Sequence, residues 1–154
     1  MAKRCWLMKS SPANYSIQDL EREGKTYWDG VRNYTARNSM RDDMQVGDAV
    51  LFHHSNAKPP GVAGIAAVCR EGYPDHTAFD PKSKGYDAKS SRDQPRWIMV
   101  DLEFAERFEE VVSMDEMRAA KGLEEFPLLQ RGQRLSIMPI TRKQFEIVRR
   151  LGRA

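Results

Sequence analysis

Cysteine and histidine are scarce in this sequence. Cys5 and Cys69 are the only thiols among 154 residues, and two of the three histidines, His53 and His54, are adjacent. Such a set cannot assemble a structural zinc site. Two cysteines 64 residues apart, each inside an apolar stretch, read as buried free thiols of a reducing compartment. No apolar run approaches the roughly 18 residues that a membrane-spanning helix needs. The opening Met1-Ala2-Lys3-Arg4-Cys5-Trp6-Leu7-Met8-Lys9 is too short in apolar residues for a secretion signal, so a cytoplasmic protein without membrane partners is expected.

Familiar catalytic motifs are missing as well. The chain has no Gly-x-Ser-x-Gly elbow, no phosphate loop ending in Gly-Lys-Ser/Thr and no His-Glu-x-x-His helix. Gly61-Val62-Ala63-Gly64 lacks the third glycine of a dinucleotide fingerprint and reads better as strand than as turn. Asp29, Asp75 and Asp80 are conceivable general bases, but none has a partner acid at a telling spacing. His53, at the end of an apolar strand, reads as a structural histidine before a proton carrier. No cofactor or metal is implied.

What is present is a globular composition, 40% hydrophobic and 31% charged, sized for one domain over residues 1–154 with a core from about 5 to 150. The net charge of +3 hides polarity along the chain. Residues 1–41 carry eight basic and four acidic side chains, whereas 101–125 carry nine acidic and three basic. A basic face of this kind attracts phosphates.

Short strands are predicted at 5–8, 49–53, 62–69, 98–104 and 135–140. The segment 98–104 alternates Ile98, Val100, Leu102 and Phe104 against Met99, Asp101 and Glu103, as in a sheet with one buried face. Small residues Ala63, Gly64, Ala66 and Ala67 suggest a strand that something approaches closely. Ser16-Ile17-Gln18-Asp19, Ser113-Met114-Asp115-Glu116 and Thr141-Arg142-Lys143-Gln144 are capping-box patterns opening helices, and a further helix is predicted from Tyr34 to Met40. Residues 71–95 form a long polar connection with Lys82, Lys84, Lys89 and Arg92. A loop of that length in a small domain is usually functional. Short strands and irregular connections favour a mixed α/β fold, a curled, mainly antiparallel sheet or small barrel, over repeated βαβ units.

The densest chemistry lies between Trp28 and Asn38. Trp28, Tyr34 and Trp97 offer stacking faces; Asn33, Asn38, Ser10 and Ser55 offer donors and acceptors for a base edge; Lys9, Arg32 and Arg37 offer charges for phosphates. Trp28→Ala is expected to weaken base binding and leave the fold mostly intact.

Several long segments in order carry a family resemblance. They include Trp6-Leu7-Met8-Lys9-Ser10, Trp28-Asp29-Gly30-Val31-Arg32-Asn33-Tyr34, Ala36-Arg37-Asn38, Phe52-His53-His54-Ser55-Asn56, Pro59-Pro60-Gly61-Val62-Ala63-Gly64 and Pro95-Arg96-Trp97. Over about residues 5–150 the chain resembles the EVE domain, found alone in bacterial proteins and related to the YTH and ASCH domains. The resemblance implies a PUA-like curled β-barrel of five or six mainly antiparallel strands with short flanking helices. It also implies a non-catalytic reader that takes a modified base of DNA or RNA, single-stranded or flipped out, into an aromatic-lined pocket. On this chain Lys9 and Ser10 would sit at the pocket mouth, Trp28 and Arg32-Asn33-Tyr34 would line it, and His54-Ser55-Asn56 and Trp97 would form other walls. The family's usual Lys-Ser-Glu-Pro is here Lys9-Ser10-Ser11-Pro12, which removes a carboxylate from that mouth. The alternative is an enzyme or sensor using the same pocket on a nucleotide or related metabolite, with Asp29, Asp75 or His53 perturbed.

Overall fold

The computed structural model describes residues 3–153. Six strands run in chain order as β1 (Cys5–Ser10), β2 (Lys25–Tyr27), β3 (Ala49–His54), β4 (Gly61–Pro74), β5 (Ile98–Ser113) and β6 (Ile137–Ile140). They form one sheet in the order β2-β5-β4-β3-β1-β6. Among the described residues only β1 and β3 pair in parallel; the other neighbours are antiparallel.

The expected barrel is therefore corrected: the sheet is open. Its end strands, β2 and β6, do not pair with each other. The reason is visible at both edges. Strand β2 is three residues long and leads straight into the Trp28 segment, and β6 carries an exposed Pro139 with no N–H to offer a further strand.

Both faces of this sheet are covered, and the period-2 alternation of the central strands sorts side chains between two cores. Trp6 and Met8 of β1, with Val50 and Phe52 of β3, face one core with Ile17, Leu20, Trp28, Ala36 and Met40. Cys5, Leu7 and Leu51 face the other, with Met117, Leu123, Phe126, Phe145 and Val148. The first core is roofed by α1 (Ile17–Glu23) and α2 (Tyr34–Asn38), the second by α3 (Met114–Ala119) and α4 (Arg142–Arg153).

All three capping boxes form. Ser16 accepts from the Asp19 N–H while the Asp19 carboxylate accepts from the Ser16 N–H. Ser113 and Glu116, then Thr141 and Gln144, repeat the exchange. Gly24 closes α1 at φ 82°, a left-handed value that favours glycine. The helix expected to reach Met40 instead ends at Asn38 and passes into a π-helical turn, Ser39–Asp43.

Strands β4 and β5 run well past their expected ends at residues 69 and 104. The added part of β5 carries Glu106, Arg107, Glu109 and Glu110, yet Phe108 and Val112 still point into the second core. Register shifts between β4 and β5 break the simple alternation there. Gly64 meets the close approach suspected from its neighbours: a side chain would collide with the Glu106 carbonyl and with Ile17 of α1.

Candidate functional site

The end of β1, the turn after it and the segment leaving β2 enclose a cavity of about 530 Å³. It is lined by Ser10, Asn14, Tyr15, Glu23, Lys25, Thr26, Tyr27, Trp28 and Asp29. Ser10 Oγ donates to the Tyr15 carbonyl at 2.6 Å, which holds the turn against the strand end. Tyr15 Oη donates to Glu23 at 2.6 Å; burial, reinforced by that carboxylate, pushes the phenol up to about 12. Trp28 is only 9% exposed, with its ring edge-to-face on Phe52 at 5.5 Å. Its main-chain N–H donates to the Val100 carbonyl, so the wall is pinned to β5.

Two of the expected site residues, Ser10 and Trp28, line this cavity. His54 backs it through an edge-on contact with Phe52, and its Nε2 accepts from the Ile17 N–H at 3.1 Å. That bond satisfies a free donor at the start of α1. Burial lowers the His54 pKa, so the ring is neutral around pH 7. Ser55 ties its loop to β1 by donating its N–H to the Ser10 carbonyl, and Asn56 turns the exposed loop at φ 52°.

Arg32, Asn33, Tyr34, Arg37, Asn38 and Trp97 belong to a neighbouring cluster. Asn33 caps α2 by accepting from the Ala36 N–H. Arg37 donates to the Arg96 carbonyl and to the Asn38 side chain, and it lies over the Tyr34 ring. Tyr34 stacks on Trp97 at 4.9 Å, and Trp97 donates its indole N–H to Asp87 at 2.7 Å. Arg32 is wholly engaged. Its guanidinium donates to Asp75, Thr77 and the carbonyls of Gly85 and Val31, and it lies 5.3 Å from the Trp97 ring centre. Asp75 also accepts from the Gly30 N–H at 2.8 Å, next to the cavity residue Asp29. The second cluster is thus bolted onto the cavity wall.

Lys9 is half-buried at the end of β1, opposite His53 in the parallel register, and burial lowers its pKa. Neither ring nitrogen of His53 has a hydrogen-bond partner among the described residues. Burial first, then Lys9 and His54, lower its pKa to about 4. With the folded value below the unfolded one of about 6.5, the unfolded chain binds the proton better. Stability is therefore complete above about pH 6.5 and falls as pH drops toward 4, by up to about 3 kcal/mol. His53→Leu should remove this dependence, leaving pH 7 stability equal or higher, because two unpaired nitrogens leave the interior. Urea unfolding at pH 7.5 and pH 5 tests it; a variant retaining the full pH dependence would contradict it.

Asn14, Tyr15, Glu23, Lys25, Thr26 and Tyr27 line the cavity without having been expected to bind a ligand, and Asp29, weighed only for the enzyme or sensor alternative, lines it too. Tyr27 and Asp29 had a signal, since they flank Trp28 in the aromatic-rich segment. The others come from the turn before α1, the last residue of α1 and the start of β2, and no sequence spacing points them at Trp28.

A family model described as the EVE domain matches residues 4–151. Human thymocyte nuclear protein 1 is 41% identical over 93% of this chain and 71% of its own length. A crystal structure of a protein from Pseudomonas syringae superposes with a TM-score of 0.92 at 44% identity, covering 96% of this chain and 99% of that one. Human THYN1 protein, crystallised in complex with DNA containing 5-methylcytosine, superposes with a TM-score of 0.89 at 38% identity, over 99% of both chains. Relatives named as nuclear proteins overturn the expectation of a cytoplasmic one, because a missing secretion signal does not separate those compartments. With a family model spanning nearly every residue and relatives at this identity, the chain belongs to the EVE domain family.

Proposed function

We propose that this chain is a non-catalytic nucleic-acid-binding module, acting as one EVE domain, that recognises a modified base, with 5-methylcytosine in DNA as the first base to test. The observation that carries the reading is the cavity walled by Trp28 and edged by Ser10, Asn14 and Asp29, in a fold shared with a relative crystallised on DNA containing 5-methylcytosine. Its volume of about 530 Å³ falls within the range of ligand pockets, roughly 300–1,000 Å³. Apolar ring surface suits a methylated base, and the surrounding hydroxyl, amide and carboxylate groups suit its polar edge. Two of the groups weighed as catalytic lie outside the cavity lining. Asp75 is buried in hydrogen bonds and His53 is a neutral interior ring.

A base must leave its stack to enter such a cavity, so single-stranded or mismatched sites should bind best. Anisotropy titrations with oligonucleotides differing only in 5-methylcytosine against cytosine, single-stranded and duplex, at low salt, test the reading. Tighter binding of the methylated strand is expected, with RNA versions of the same sequence deciding the carrier. Equal affinity for both bases in every form, or no binding, would sink it.

A further inference from the structure

We propose that the loop from Asp80 to Arg92 is the phosphate-binding rail of this module, with Lys82, Lys84, Lys89 and Arg92 contacting the nucleic-acid backbone. The inference rests on the reading that the chain binds nucleic acid. Of the three cations that the sequence offered to phosphates, Arg32 and Arg37 are spent on acceptors within the protein. Lys82, Lys84, Lys89 and Arg92 are exposed, and none forms an ion pair among the described residues. Arg92 rests over the Phe79 ring at 5.0 Å, which leaves its donors outward.

Two acids of the same loop are tied to main-chain donors. Asp80 accepts from the Lys82 N–H, and Asp87 accepts from the Lys89 N–H and the Trp97 indole. Asp87 is also matched by Arg96 at 3.8 Å, while the ammonium groups stay in solvent.

Although it lacks regular structure, the loop is held in one shape. Arg32 grips the Gly85 carbonyl, and a side chain at Gly85 would strike that guanidinium. Asp87 N–H donates to the Ala78 carbonyl and Arg96 N–H to the Ser90 hydroxyl. Ordering therefore precedes binding, and less conformational entropy is lost when phosphates arrive. The rail also starts where the cavity wall ends: Asp75 holds Gly30, and Tyr27 of the cavity meets His76 edge-on at 5.1 Å. A strand with one base in the cavity would have its neighbouring phosphates beside these cations.

The test compares the wild type, the quadruple variant Lys82→Gln/Lys84→Gln/Lys89→Gln/Arg92→Gln, the pair Lys84→Gln/Lys89→Gln, and a control set Lys121→Gln/Lys143→Gln/Arg150→Gln from the opposite cover. Affinity for one single-stranded oligonucleotide, with and without 5-methylcytosine, is followed against salt. Each lost phosphate contact should flatten the slope of log affinity on log salt by about 0.7. The quadruple variant should thus lose nearly three units of slope and more than tenfold in low-salt affinity, the pair about half that, and the control set nothing. The ratio of methylated to unmethylated affinity should stay at the wild-type value. A quadruple variant with unchanged slope, or a control set that flattens it equally, would overturn the rail. A wild type that binds no oligonucleotide overturns it too. A wild type that binds without base preference leaves the slope result standing and counts only against the modified-base reading.

Discussion

Trp28→Ala is expected to lower stability by about 3–5 kcal/mol, the usual cost of deleting a buried aromatic side chain. For a chain of this size that corresponds to a fall in Tm of roughly 10 °C or more. The ring is nearly buried, packs edge-on against Phe52, and shares the first core with Val31, Met40 and Val100. Truncation would open the cavity into that core. Burial thus replaces the expectation from sequence that the fold would stay mostly intact. Trp28→Phe separates the two roles, because a smaller ring retains contact with Phe52 while reducing the face toward the cavity. It should keep most of the stability and lose part of a stacking contribution that is typically about 1–3 kcal/mol per base. Calorimetry gives the first quantity and the methylated-to-unmethylated affinity ratio the second. A folded Trp28→Ala protein with undiminished preference would mean that the base is held elsewhere.

The contrast between Trp28 and Arg32 shows where sequence reading succeeds and where it stops. Short-range rules were legible. The three capping boxes, the left-handed Gly24 and the tight packing at Gly64 each depend on residues within a few positions or on one missing side chain. Resemblance over whole segments marked the neighbourhood of the cavity and brought Ser10 and Trp28 to it. Partnership was not legible. Arg32 looks free in the sequence because all its acceptors but the Val31 carbonyl lie 43 to 53 positions away, at Asp75, Thr77 and Gly85. Sheet closure failed for a similar reason. Whether the two end strands meet depends on curvature and on edge lengths; Pro139 marks an edge strand or a strand end in the sequence, but the three residues of β2 carry no strand pattern. Adjacent charges at Glu106-Arg107 and Glu109-Glu110 hid the length of β5, whose pairing with β4 is broken by register shifts.

Asp75→Ala is expected to be as damaging as the Trp28 truncation, by a different physics. The Asp75 side chain is fully buried and accepts from the Gly30 N–H at 2.8 Å, the Thr77 N–H at 2.8 Å, the Thr77 hydroxyl at 2.6 Å and Arg32 at 3.0 Å. Its removal leaves the Arg32 charge three-quarters buried without a counterion, and breaking such a pair from one side costs about 3–5 kcal/mol. Burial alone would raise the Asp75 pKa, but hydrogen bonds from Thr77, Gly30 and Arg32 outweigh it and hold the carboxyl below its ordinary value. A folded value under the unfolded one, near 3.9, means that this stabilisation is complete above about pH 4 and is lost as pH falls through the folded value. That window lies below the one assigned to His53, so the two can be separated by urea midpoints across pH. Asp75→Asn keeps the shape and loses the acid-side dependence, while setting an amide NH₂ against a donor, and should fall between wild type and Asp75→Ala. The same bonds join Gly30, beside the cavity, to Thr77 and Gly85 of the basic loop. Asp75→Ala should therefore accelerate amide exchange at Gly30 and through residues 76–90 ahead of the rest of the sheet. Nucleic-acid affinity should fall with it, although Asp75 offers no atom to solvent. Exchange that stays protected in this loop while global stability drops would show that Asp75 supports the core alone, and that the cavity wall and the rail are held in place separately.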